Sequence, residues 1–203
     1  KTLTVINVDD PENKRTEAGV PVFQMESMKI WGYENIYFGL MHVLTMGELT
    51  GSEGKVSVAD PDKRPDTDVI DFYIGTSRNG MDFDKSWIYA QKPFVPRGPA
   101  YSFDKSILEP SSEIITRGDE HFIFYTGLYS QHHSPASAKK ESGKVGLAKL
   151  PLDRFVSQSA KDELGTITTK PFKLEGDTLQ VNVDAGDGRF YAEILDADGK
   201  PIP

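Results

Sequence analysis

Short segments rich in β-branched and aromatic residues, each ended by Gly, Asn, Asp or Pro, follow one another along almost the whole chain. Within several of them apolar and polar side chains alternate, which is the period of a half-buried strand. We find no convincing segment with the period of an amphipathic helix. The sequence therefore predicts an all-β protein, with strands at residues 1–8, 20–31, 36–46, 69–77, 83–90, 105–117, 121–130, 144–151 and 154–160.

These predicted strands form two units with the same internal order. In each unit a strand leads through a tight turn into an aromatic-rich strand, which is followed by a long polar loop and further strands. The loops are residues 47–68 and 131–143, and we expect both to emerge on the same face. Asn79-Gly80 in the first unit is a strong hairpin signal, because both residues tolerate positive φ. Four-stranded repeats of this kind are typical of β-propeller blades.

The tail has a different pattern, with short alternating strands and Gly/Asp turns at residues 165–176, 177–185 and 189–202. It predicts the opening strands of a β-sandwich. We therefore expect a propeller portion at residues 1–163, with about two complete blades and a preceding strand, and the start of a sandwich at 164–203. Two blades leave exposed edges and an unburied face. We expect the remainder of the same protein, or another chain, to complete the propeller.

The composition excludes several classes of partner and site. A net charge of −8 over 203 residues makes a nucleic-acid backbone an unfavourable partner. The chain has no cysteine, so disulfides and thiolate metal sites are excluded. No run approaches the roughly 18 apolar residues that a membrane-spanning helix needs. An acidic surface with several aromatic residues suits a neutral ligand such as a sugar.

Several segments resemble a bacterial glycoside-hydrolase-like group related to the five-bladed β-propellers of glycoside hydrolase families 32 and 43. They are "VIDFYIGTSRNGMDFDK", "ITRGDEHFIFYTGLYSQHH", "GKVGLAKLPLDRFVSQSA" and the tail from "GTITTKPFKLEG" onward. The resemblance covers most of residues 20–202, and its most specific part is the joining segment around Thr169–Phe172 and Leu179–Asn182. It implies hydrolysis of a glycosidic bond and a secreted or periplasmic location. It implies no cofactor, although a central cation such as calcium is compatible with it.

Enzymes of this group use three carboxylates around the propeller axis, on the first three blades. The resemblance therefore implies that the main catalytic carboxylates lie outside this chain, whose blades correspond to the fourth and fifth. Glu109-Pro110 is similar to the surroundings of the general acid in family 43, so Glu109 and Glu113 are candidate acids. Glu26 lies in the corresponding strand of the previous unit. The alternative for each is an ordinary carboxylate of an inner strand or of the rim.

The histidines are the first candidates for ligand binding. His132 and His133 are adjacent, so their side chains point to opposite sides if the chain is extended there, and the pair is a poor chelator. We expect one of them to line the ligand funnel, with a surface loop or a single cation ligand as alternatives. His42 lies inside an apolar strand, where it either contacts ligand or is satisfied within the core.

The remaining candidates are Arg78, Trp31 and Tyr129. Arg78 either clamps a substrate or makes a structural ion pair beside the Asn79-Gly80 turn. Trp31 and Tyr129 either stack on sugar rings or pack in the core. A non-catalytic carbohydrate-binding propeller is the main alternative function. A sialidase-like propeller is disfavoured because no intact Asp-box is present, Phe83 standing where the motif has Trp.

Overall fold

The computed structural model describes residues 23–45, 68–132, 143–173 and 175–202, and of Phe23 only the backbone. The chain divides into two compact units, Lys1–Leu150 and Pro151–Pro203. Some predictions concern residues outside those described: the strand at 1–8, nearly all of the loop at 47–68, His133, and most of the loop at 131–143.

The first unit is built on one mixed sheet that curls into a half-barrel. The elements are β1 (Phe23–Tyr33), β2 (Ile36–Thr45), β3 (Val69–Ser77), α1 (Ser86–Tyr89), β4 (Ile107–Pro110), β5 (Ile115–Arg117), β6 (Glu120–Leu128) and β7 (Lys144–Pro151). β1, β2 and β3 form an antiparallel meander, and β4 lies parallel to β3. β6 pairs antiparallel with β4 and β5, and also pairs with β7. The regular secondary structure of the described residues is therefore β-strand apart from one short helix, as the sequence predicts.

The turn at Asn79-Gly80 forms where the sequence predicts it, but the chain does not return as a strand. Asn79 Oδ1 accepts hydrogen bonds from the backbone N–H groups of Met81 and Asp82, both at 2.9 Å. Asp84 Oδ1 then accepts the N–H of Ser86 at 2.9 Å, at the beginning of α1. The strand predicted at residues 83–90 is wrong, because its apolar residues cover one face of the sheet as a helical turn.

Alternation along β2 gives the sheet two different faces. Met41 and Val43 point to one face, where they pack with Tyr73, Phe83 and Ile88 of α1. Leu44 lies on the other face, in a cluster of large apolar side chains that also includes Ile70, Ile107 and Leu128. His42 shares this second face with Leu44, and we call it the His42 face.

The strand predicted at residues 105–117 is split in two. β4 ends at Pro110, whose ring nitrogen has no hydrogen to donate to a neighbouring strand. The N–H of Ser111 still donates to the carbonyl of Phe124 at 3.1 Å, and regular pairing resumes at Ile115 in β5. The prediction thus locates the segment correctly and misses its interruption.

In the second unit, the described residues 152–173 and 175–202 form no regular strand. An isolated antiparallel bridge joins Leu195 to Pro201. Apolar side chains such as Phe172 and Leu179, 70% and 63% exposed, are not packed into a core. Within the described part of this unit, the strands predicted at residues 154–160, 165–176, 177–185 and 189–202 are wrong.

We expect Gly75→Ala to destabilise the first unit by about 1–3 kcal/mol, which is typical of an overpacked site. A Cβ at Gly75 would lie 2.3 Å from Met41 Cε and 2.5 Å from the backbone oxygen of Asp84, so main chain would have to move. Gly32→Ala is the matched control, since its Cβ would meet Tyr37 only at 3.9 Å. Urea unfolding of both variants tests this, and equal losses of stability would contradict it.

Candidate functional site

His42 lies in the middle of β2 and is the centre of the candidate site. Its neighbours across the sheet are Ser27 of β1 and Phe72 of β3. The side chain is half-buried, and its Nε2 atom is buried without a hydrogen-bond partner among the residues that the structure describes. A buried polar atom without a hydrogen-bond partner carries a free-energy penalty, which a bound water or a ligand would remove.

Two further candidates from the sequence come close to His42. Glu109 lies on β4 opposite Thr126 of β6, and its side chain is exposed. His132 follows β6, and its backbone N–H donates to the carbonyl of Asp68 at 3.1 Å, which ties it to the start of β3. Both side chains act electrostatically on the His42 ring. The structure therefore brings together three residues that are distant in the sequence.

β1 adds two more charged groups to this cluster. The pairing of β1 with β2 shifts register between Met25 and Ser27, so Glu26 is the extra residue of a β-bulge. Glu26 and Lys29 both act on the charge of His42. We call His42, Glu26, Lys29, Glu109 and His132 together the His42 site.

The surroundings favour the neutral form of His42. Burial lowers its pKa below the ordinary value of 6.5, because a protonated ring is poorly solvated there. The Glu109 and Glu26 carboxylates raise this pKa in opposition, while His132 and Lys29 lower it further. The net direction is downward, so His42 is a neutral imidazole near pH 7.

Trp31 belongs to a separate aromatic cluster in the first unit. Its ring stacks on Tyr33 with centroids 4.8 Å apart and on Phe38 at 5.4 Å, and it meets His121 edge-on at 6.0 Å. Nδ1 of His121 is 2.9 Å from the hydroxyl of Thr116. With Trp31 only 9% exposed, these contacts leave little of its ring open to a sugar.

Arg78 lies at the turn after β3 and contacts the turn between β1 and β2. Its Nη1 donates to the side-chain oxygen of Asn35 at 3.0 Å, so it joins two turns of the meander. Tyr129 is 43% exposed, and the ammonium of Lys105 lies 3.9 Å from its ring centroid. Glu113 is exposed between β4 and β5 and is not among the charges acting on His42.

A second polar network, around Asp104, was not found from the sequence. The buried Asp104 carboxylate accepts hydrogen bonds from the hydroxyls of Ser102 and Tyr125, the latter at 2.7 Å. Burial alone would raise the pKa of Asp104, but the bonds from Ser102, Tyr125 and the backbone hold it below its ordinary value. Burial and the Asp104 carboxylate raise the pKa of Tyr125 to about 12. Nothing in the sequence pattern indicates this network.

Among the described residues, no group of three or more histidine, aspartate or glutamate side chains is arranged to hold a metal ion. The described part of the chain also contains no helix long and apolar enough to cross a membrane. A scan against models of protein families finds no match for this chain, and a search of curated proteins finds none either.

Proposed function

We propose that this chain is part of a glycoside-hydrolase-like protein and that the His42 site is part of its carbohydrate-binding surface. In this proposal the chain supplies propeller blades of a secreted or periplasmic protein. The resemblance of its sequence segments to families 32 and 43 supports this assignment. The curled all-β sheet is compatible with it.

One observation carries the assignment of the site: the buried Nε2 atom of His42 has no hydrogen-bond partner among the described residues, and polar groups surround it. Sugar hydroxyls both donate and accept hydrogen bonds, so they match carboxylates, an ammonium and a neutral imidazole. The carboxylates of Glu26 and Glu109 accept from hydroxyl groups. The ammonium of Lys29 donates to the sugar hydroxyl oxygens, and Nε2 of His42 makes a further hydrogen bond with a sugar hydroxyl.

In the proposed reaction, this chain positions the sugar and the main carboxylates come from blades outside it. Glycosidic bond cleavage requires one carboxyl that donates a proton and one that acts as nucleophile or base. Glu109 is the better-placed candidate acid of the two, because its charge acts on His42. Glu113 contributes no charge to this site, which makes Glu109 the better of the two candidates.

Calorimetric titration of the intact protein with neutral hexasaccharides (cellohexaose, xylohexaose, maltohexaose and mannohexaose) tests the proposal. We expect at least one to bind, and His42→Ala and Glu109→Gln to weaken binding by about tenfold or more, the loss of roughly one hydrogen bond. Glu120→Gln is the matched control, since Glu120 pairs with Lys149 at 3.0 Å outside the site.

Release of reducing sugar from the bound oligosaccharide by the intact protein is the second measurement. Binding with release supports the enzyme. Binding without release from any member of the panel favours the non-catalytic carbohydrate-binding alternative. If no hexasaccharide binds, or if Glu120→Gln weakens binding as much as Glu109→Gln, the assignment of the His42 site is wrong.

A further inference from the structure

The charged groups around His42 come from every element that borders it except β3. β1 contributes Glu26 and Lys29, β4 contributes Glu109, and the segment after β6 contributes His132. β3 contributes the apolar ring of Phe72, directly opposite in the register. A proton on the His42 ring is therefore attracted by the carboxylates of Glu109 and Glu26 and repelled by His132 and by the ammonium of Lys29.

We propose that His42 makes ligand binding at this site depend on pH: the neutral ring accepts a hydrogen bond from a ligand hydroxyl at Nε2, and protonation turns Nε2 into a donor, so that this hydrogen bond is lost. The inference rests on the proposed carbohydrate-binding function and adds its regulation. It follows from the position of Nε2, which is buried and has no partner in the described residues, so that a ligand hydroxyl completes its hydrogen bonding.

The chemistry of imidazole explains the switch. A neutral imidazole has one nitrogen that accepts a hydrogen bond, whereas both nitrogens of the protonated ring can only donate. Once protonated, the His42 ring is attracted to the carboxylates of Glu109 and Glu26, which are the same groups that the ligand hydroxyls use. Protonation thus removes Nε2 of His42 as an acceptor, and it draws the carboxylates of Glu109 and Glu26 toward the charged ring and away from the ligand.

The direction of the pH effect follows from linkage. A ligand that binds only the neutral ring loses affinity as the pH falls through the pKa of His42, by up to about tenfold per pH unit for one proton. Because burial lowers this pKa below the ordinary value of 6.5, the midpoint of the affinity loss lies below pH 6.5. At pH values well above the pKa, affinity no longer depends on this group.

Neighbouring charges provide substitutions with opposite expected effects. Glu109 raises the pKa of His42, so Glu109→Gln moves the midpoint of the affinity loss to lower pH. Lys29 lowers this pKa, so Lys29→Gln moves the midpoint to higher pH. The midpoint is compared rather than the affinity, since both residues also belong to the binding surface.

The experiment measures the affinity of the full chain for the tightest-binding hexasaccharide of the panel between about pH 5 and 8. The wild type is expected to lose affinity toward acid pH with a midpoint below pH 6.5, and His42→Gln is expected to show no such loss. Proton NMR of the ring hydrogens, without ligand, gives the pKa of His42 in each variant independently. We expect the pKa of His42 to be lower in Glu109→Gln than in the wild type, and higher in Lys29→Gln.

Four results would overturn the inference. The first is an affinity loss in His42→Gln equal to that of the wild type, and the second is a midpoint that moves in the same direction in both charge variants. The third is binding that does not change with pH, which refutes the switch while the carbohydrate-binding function stands. Absence of binding at every pH refutes both.

Discussion

Replacing Phe72 with alanine is expected to lower the free energy of unfolding by about 3–5 kcal/mol, the range for deleting a fully buried aromatic ring. Phe72 is fully buried in β3, with its ring edge-on to Phe94 at 5.7 Å. Its carbonyl also accepts the N–H of Phe94 at 2.8 Å, so ring and backbone hold the same segment against the sheet. Urea unfolding followed by tryptophan fluorescence measures the change.

Phe172→Ala is the matched control for this prediction. Phe172 carries the same type of side chain but is 70% exposed. Removing an exposed side chain changes stability by about 0.5 kcal/mol or less. Because Phe72 lies opposite His42, its deletion also removes one wall of the His42 site. A loss below about 1 kcal/mol for Phe72→Ala would contradict the packing seen in the structure.

The sequence predicts the fold best where strands are bounded by clear turn residues. The predicted bounds of β3 and β7 match the observed Val69–Ser77 and Lys144–Pro151. Both segments carry a continuous strand pattern, and Ser77 is followed by a turn whose side chains satisfy their own backbone. Strong local signals of this kind need no tertiary information.

The errors have physical causes as well. Residues 83–90 contain Phe83, Trp87, Ile88 and Tyr89, whose aromatic and β-branched character suits a strand. Tertiary packing decides otherwise, since Ile88 enters the cluster around Met41 as part of one helical turn. A helix of four residues is too short to show a period in the sequence.

The sequence predicts individual residues of the candidate site but not that they come together. His42, Glu109 and His132 are each identifiable from residue type and position, but nothing local indicates that they meet. Their proximity depends on the parallel pairing of β3 with β4 and on the curl of the sheet. Glu26 reaches the site through a bulge in β1, and a one-residue register shift leaves no signal in a single sequence.

Asp104→Ala is expected to destabilise the first unit by about 3 kcal/mol or more, because it deletes two hydrogen bonds to a charged group, each contributing about 1.5–3 kcal/mol. The change leaves the hydroxyls of Ser102 and Tyr125 without the acceptor that they use in the native state. Asp162→Ala, at an exposed turn, is the control. Equal effects of the two substitutions on urea unfolding would contradict a structural role for Asp104.

Tyr125→Phe isolates the contribution of the Tyr125–Asp104 hydrogen bond to stability, and we expect this contribution to depend on pH. The variant keeps the ring and loses the bond to Asp104, so we expect a loss of about 1.5–3 kcal/mol at pH 7. The folded state raises the pKa of Tyr125 from 10.0 to about 12, so the stabilisation is complete below pH 10 and is lost as the pH rises toward 12. The difference in stability between wild type and Tyr125→Phe should therefore shrink between pH 10 and 12.

The same pair also has an acid limit with the opposite sign. The pKa of Asp104 is lower in the folded protein than its ordinary 3.8, so its stabilisation is complete above that value and is lost as the pH falls through the folded pKa. Tyr125→Phe removes one of the bonds that lower this pKa, so the variant should lose the Asp104 contribution at a higher pH than the wild type. Unfolding measured at both pH extremes checks the two signs together. A difference between the proteins that stays constant from acid to alkaline pH would show that Asp104 and Tyr125 do not interact as the structure indicates.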